Sequence, residues 1–189
     1  MFAHAVDREG LAMLIASLSS TDLGTRMTAE SRLKALDTAP VDTRDAAIDG
    51  LIALLRAAAA PMEARWRAAV ILGDLLAYAA VPALLAALAD ESWEIRHSAV
   101  FALGHMRAQP GYGPLRDLVM KAFKDEQIPF VAGLGMMQIA PEEARAALEA
   151  AAAHSEPAVS SVAASVFAAL AARAMLPRAL PEWYTADSA

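Results

Sequence analysis

The 189-residue chain contains no cysteine. Disulfides and thiolate metal sites are therefore excluded, and a reducing compartment is compatible with that absence. There is no run of basic residues, and the formal charge is −6. General nucleic-acid binding rests on neutralising phosphates with Lys and Arg, so that class is not expected. Alternating β-branched runs are missing, so no sheet is expected. The uncharged run between Asp74 and Asp90 falls short of a membrane span and carries Pro82. The opening MFAHAVDREG has no basic segment followed by an apolar core, so it does not read as a signal peptide. A cytoplasmic chain that neither enters membranes nor binds nucleic acid is the expectation. No catalytic signature is present: no Cys nucleophile, no glycine-rich phosphate loop and no Gly-x-Ser-x-Gly. No catalytic residue, metal or cofactor is expected on these grounds.

What the chain has is alanine and a repeating helical pattern. Hydrophobic residues make up 57% and charged residues 20%. Much of the apolar fraction is Ala, a strong helix former whose small side chain lets helices pack closely. Residues 80–107 show the unit most clearly. Val81, Leu84, Leu85 and Leu88 mark one face of a short helix. Pro82 suits its first turn. Asp90-Glu91-Ser92 interrupts the pattern and offers cap chemistry. Ile95, Ala99, Ala102, Leu103 and Met106 then share the face of a second helix.

Imperfect copies of this hairpin cover about 7–38, 41–76, 110–139 and 141–172. Gly73, Gly104 and Gly135 recur every 31 residues. The first copy is more charged, as the end of a stack should be. The fourth, with Pro129 and no Arg, is the one expected to deviate. Residues 1–175 thus read as one repeat domain. The rest, 176–189, reads as a tail in which Pro177 and Pro181 break helices. Its Trp183 either covers the last unit or docks into another molecule.

The motif Asp90, Ile95-Arg96, Ala99 and Ala102-Leu103-Gly104 resembles a short HEAT-like repeat of the phycobilisome-lyase type. The resemblance is recognisable over roughly four-fifths of the chain. It implies an all-α, right-handed superhelix of about five helical hairpins. It also implies that Arg96 braces the turn at Asp90, with Arg65 at the same position one unit earlier. Activity does not follow, because such scaffolds carry many functions.

In scaffolds of this type the second helices form an inner layer whose open positions meet partners. Counting from the Arg position gives Met27, Trp66, His97 and Ile128. One turn on are Ser31, Val70, Phe101 and Ala132, then Ala35, Asp74, His105 and Met136. Trp66, Val70, His97, Phe101, Ile128 and Met136 would form an apolar groove, and such patches mark interaction sites. A register off by one would instead put them in the core. His97 and His105 are eight apart, roughly 12 Å along a helix, too far for one metal. The expectation is a non-enzymatic scaffold or adaptor that binds a protein or peptide segment, with self-association as a homodimer as a further outcome. The alternative is a lyase-like protein that handles a cofactor or small hydrophobic ligand.

Overall fold

The computed structural model describes residues 8–121 and 127–175, with side chains to 172. The tail 176–189, including Trp183, and Phe123 of the fourth copy lie outside the described residues. Ten α-helices are found there: α1 (Arg8–Ser17), α2 (Leu23–Lys34), α3 (Val41–Arg56), α4 (Met62–Asp74), α5 (Val81–Ala87), α6 (Trp93–His105), α7 (Tyr112–Met120), α8 (Gln127–Ile139), α9 (Pro141–Ala152) and α10 (Pro157–Met175). They pair as five hairpins and stack in two layers. The second helices run α2, α4, α6, α8, α10, each against the next, behind the first helices. The result is an all-α solenoid. No helix among the described residues is long and apolar enough to cross a membrane.

The apolar stripes form a continuous core. Leu51, Leu72, Leu84, Ile95, Leu103, Leu115 and Leu148 are fully buried. Each belongs to one helix of a hairpin, so no hairpin encloses its core alone. The prolines sit where their missing N–H costs nothing: Pro82 in the first turn of α5, Pro157 at the start of α10 and Pro61 as the residue before α4. Ser92 caps α6, its hydroxyl accepting from the Ile95 N–H at 3.4 Å.

Two repeated devices hold the stack. The first closes helix ends. Arg44 donates to the Leu75 carbonyl at 2.5 Å, Tyr78 to Met106 at 2.5 Å and Gln109 to Ile139 at 3.2 Å. Each bond satisfies a carbonyl at the end of a second helix that the helix leaves without a partner. The second device is close approach. A Cβ on Gly73 would lie 2.9 Å from the Ala102 Cα, and one on Gly104 2.9 Å from the Gly135 Cα. Only glycine permits α4–α6 and α6–α8 to stack at this separation.

The turn brace differs in one respect from the expectation. Arg96 does hold the Asp90 turn, but through backbone: its Nη1 donates to the Asp90 and Glu91 carbonyls, both at 2.8 Å. Arg26 grips the Ser20 and Thr21 carbonyls in the same way. The Asp90 carboxylate is taken by Arg65 of the preceding unit, whose Nη2 donates to it at 2.5 Å while its Nε donates to the Leu55 carbonyl. Arg96 is already aimed at the carbonyls at the start of its own turn, so the side chain of Asp90 is free to tie one unit to the next.

These contacts predict unequal effects at two glycines. Gly104→Ala forces backbone apart and costs about 1–3 kcal/mol of stability. Gly113→Ala, where a Cβ meets nothing within 4 Å beyond its chain neighbours, gains helix propensity but sets a Cβ against the ring of Pro114 in helical backbone, and stays within about 0.5 kcal/mol of the parent. Urea unfolding of the two variants measures both.

Candidate functional site

A cavity of about 500 Å³ opens between α2, α4 and α6. Its walls follow helical spacing: Leu23, Met27 and Ser31 on α2, Trp66 and Val70 on α4, Trp93, His97 and Phe101 on α6. Side chains four apart share a face, so each helix presents one column to the cavity. Trp93 is 46% exposed, and Leu23 and Met27 are also open to solvent. Trp66, Val70, His97 and Phe101 are half-buried. The Trp93 and His97 rings meet edge to face at 5.7 Å, and Phe101 stacks on His105.

The cavity exists because α2 breaks the stacking rule. Lys34 occupies in α2 the position that Gly73, Gly104 and Gly135 hold in α4, α6 and α8, eight residues after the Arg position. Its Nζ reaches Glu30 at 2.7 Å and Asp74 at 3.1 Å. A side chain of that length between the helices holds α2 off α4, and their contact is much smaller than that of α4 with α6. Burial opposes the charge on Lys34, but Glu30 and Asp74 outweigh it and hold its pKa above the ordinary value.

Beneath the apolar walls lies a polar floor. Arg67 and Ser98 are the buried polar residues among the described residues, and both line this cavity. They stand at the same position of successive repeats, 31 residues apart. Arg67 Nη1 donates to Glu30 at 2.5 Å, and its guanidinium carbon lies 4.3 Å from the centroid of the Trp66 ring.

Trp66, Val70, His97 and Phe101 therefore come together as the register predicts. Ile128 and Met136 do not. They are 3% and 1% exposed and belong to the core. Here α8 packs on α6 and α7 and also meets α10, where a Cβ on Gly133 would lie 2.6 Å from a methyl of Val166. Positions that are open on α4 and α6 are covered on α8. Leu23, Trp93, Arg67 and Ser98 were not anticipated. Leu23 and Trp93 lie one helical turn before Met27 and His97, so extending the same count backward reaches them. Arg67 and Ser98 share a register that periodicity alone assigns to neither face. Among the described residues no group of three or more His, Asp or Glu side chains converges as a metal site.

Comparisons with known proteins agree on the fold. Residues 48–126 match the HEAT repeats family. No curated protein matches the chain. Among solved structures, the complex of CpcE and CpcF of phycocyanin lyase from Nostoc sp. PCC7120 is similar with a TM-score of 0.57 at 23% identity, over 88% of this chain and 68% of that one. A designed armadillo repeat protein in complex with the peptide (KR)4 is similar with a TM-score of 0.49 at 17% identity, over 82% and 80%. At 23% identity the first of these likenesses, with the HEAT-repeat match, shows a HEAT-like helical solenoid and nothing of the chemistry.

Burial lowers the pKa of His97 in the cavity wall. The unfolded chain then takes up a proton at about pH 6.5 while the folded chain resists it to lower pH. Stability from this group is present above that value and is lost as pH falls through the folded pKa. His97→Gln should flatten the loss of stability between pH 7.5 and pH 5.5, measured by urea unfolding; an unchanged slope would show that His97 is not held neutral.

Proposed function

We propose that this HEAT-repeat protein is a non-enzymatic scaffold or adaptor that holds a segment of a partner protein in the cavity between α2, α4 and α6. One observation carries the reading: Trp66, Trp93 and Phe101, on two adjacent helices, line an apolar recess left open to solvent. Large aromatics in a recess desolvate an incoming apolar side chain and dominate binding energy in protein interfaces. A helical layer fixed by glycine contacts presents them without reordering, which lowers the entropy lost on binding. Charged groups at the floor are paired with each other as ions, while Arg67 keeps donors that Glu30 does not use. The likeness to the CpcE–CpcF structure supports the fold of the scaffold rather than a partner.

A second reading is favoured by the size of the cavity. About 500 Å³ with a polar floor is on the scale of small-ligand sites. A small hydrophobic ligand would use the same walls. Homodimer formation through this face is the third outcome, and light scattering across concentrations separates it from capture of a different chain.

The test is selection from a random-peptide library on the purified protein. The expected peptides carry an aromatic or branched apolar anchor. Trp66→Ala with Phe101→Ala should weaken a selected peptide at least about thirtyfold, the loss of about 2 kcal/mol typical of a hot spot, with helicity kept by circular dichroism. Because Trp66 also packs on the core, Met27→Ser with Trp93→Ser provides a pair on the exposed rim. Undiminished binding by both folded pairs would refute the reading.

A further inference from the structure

We infer that the cavity reads a chain terminus: an apolar last residue rests on the aromatic wall and its free α-carboxylate is held by Arg67 and Ser98. The inference rests on the cavity being the partner site and names the chemistry of its occupant.

The buried polar residues of the described chain are these two, at equivalent positions of neighbouring repeats, and both face the same recess. Arg67 is 9% exposed. Among the described residues its hydrogen-bond acceptor is Glu30, and its Nε is shut from solvent with no acceptor. A guanidinium has five N–H donors. Burying one with a single oxygen partner leaves it under-satisfied, which is costly where water cannot reach. An incoming carboxylate does not reach the shut-off Nε, but it supplies oxygens for the terminal N–H groups that Glu30 leaves unused, and the Ser98 hydroxyl can donate a further bond.

The charge balance permits this. Glu30 is shared by Lys34 and Arg67, and Lys34 also meets Asp74. Two cations and two anions cancel within the floor, and Glu94 on the wall keeps its own charge, so the hold on an incoming carboxylate rests on the spare donors of Arg67 and Ser98 rather than on net positive charge. Glu94, on the wall, is already hydrogen-bonded by the Ser92 hydroxyl. Donors at the base beside apolar walls suit an occupant that carries a carboxylate next to an apolar side chain. At a terminus the carboxylate also lies one carbon from the apolar side chain, as the floor and wall lie next to each other here.

The probe pair is the tripeptide acetyl-Ala-Leu-Phe as free acid and as C-terminal amide, titrated against the full chain by calorimetry. The acid should bind about tenfold more tightly than the amide. Arg67→Gln should bring the acid down to the amide's affinity without changing the amide, and Glu30→Gln, which frees Arg67, should strengthen the acid. The wild-type comparison needs no variant. Equal affinities of acid and amide overturn the terminus assignment and leave the apolar docking site standing. Binding of neither overturns both. Tighter binding of free 2-naphthylacetate than of the peptide acid assigns the floor to a small aromatic acid and also overturns the terminus.

Discussion

The separation between neighbouring second helices governs this molecule. Where the facing residue is glycine, as at Gly73 and Gly104, backbones stack almost in contact. Where it is Lys34, they cannot, and a space remains. The same register position thus sets both the rigidity of the middle of the solenoid and the opening at its first unit. One long cation in the place of a small residue marks the point where the packed seam gives way to a cleft. The ion pairs of Lys34 and Arg67 with Glu30 and Asp74 keep that cleft polar at its base.

The bracing explains why the cleft is well defined. Arg26 and Arg96 clamp the turns that begin α2 and α6, and Arg65 ties its own hairpin to the Asp90 turn of the next. These bonds fix the starts of α2, α4 and α6, and the bonds from Arg44 and Tyr78 fix the ends of α4 and α6. Trp66, Trp93 and Phe101 are carried on helices held at both ends. Their geometry is therefore a property of the scaffold and needs no partner to assemble it, which is the preorganisation that tight binding requires.

The hairpins were legible because helical periodicity and proline placement are local signals. Leu84, Ile95 and Leu103 point inward in any stack of this kind. The wall residues Trp66, Val70, His97 and Phe101 followed from counting along one repeat and carrying the count to the next. The count failed at Ile128 and Met136 because it assumes that every second helix is exposed alike, whereas α8 is packed by α6, α7 and α10 and buries both. Such packing joins residues far apart in the chain and leaves no local trace. Arg67 and the partner of Asp90 were hidden for the same reason: an ion pair between units depends on their stacking distance, which no single unit encodes.

The claim that Lys34 props the cleft open can be measured directly. The chain has no cysteine, so Arg32→Cys on α2 and Glu63→Cys on α4 give one pair of spin labels at exposed sites. Pulsed electron resonance then reports the distance between the two helices in the parent and in Lys34→Ala. If the prop is real, the variant shows a shorter and sharper distance as α2 settles onto α4. An identical distance distribution in the two proteins would contradict it, because the space would then have some other cause.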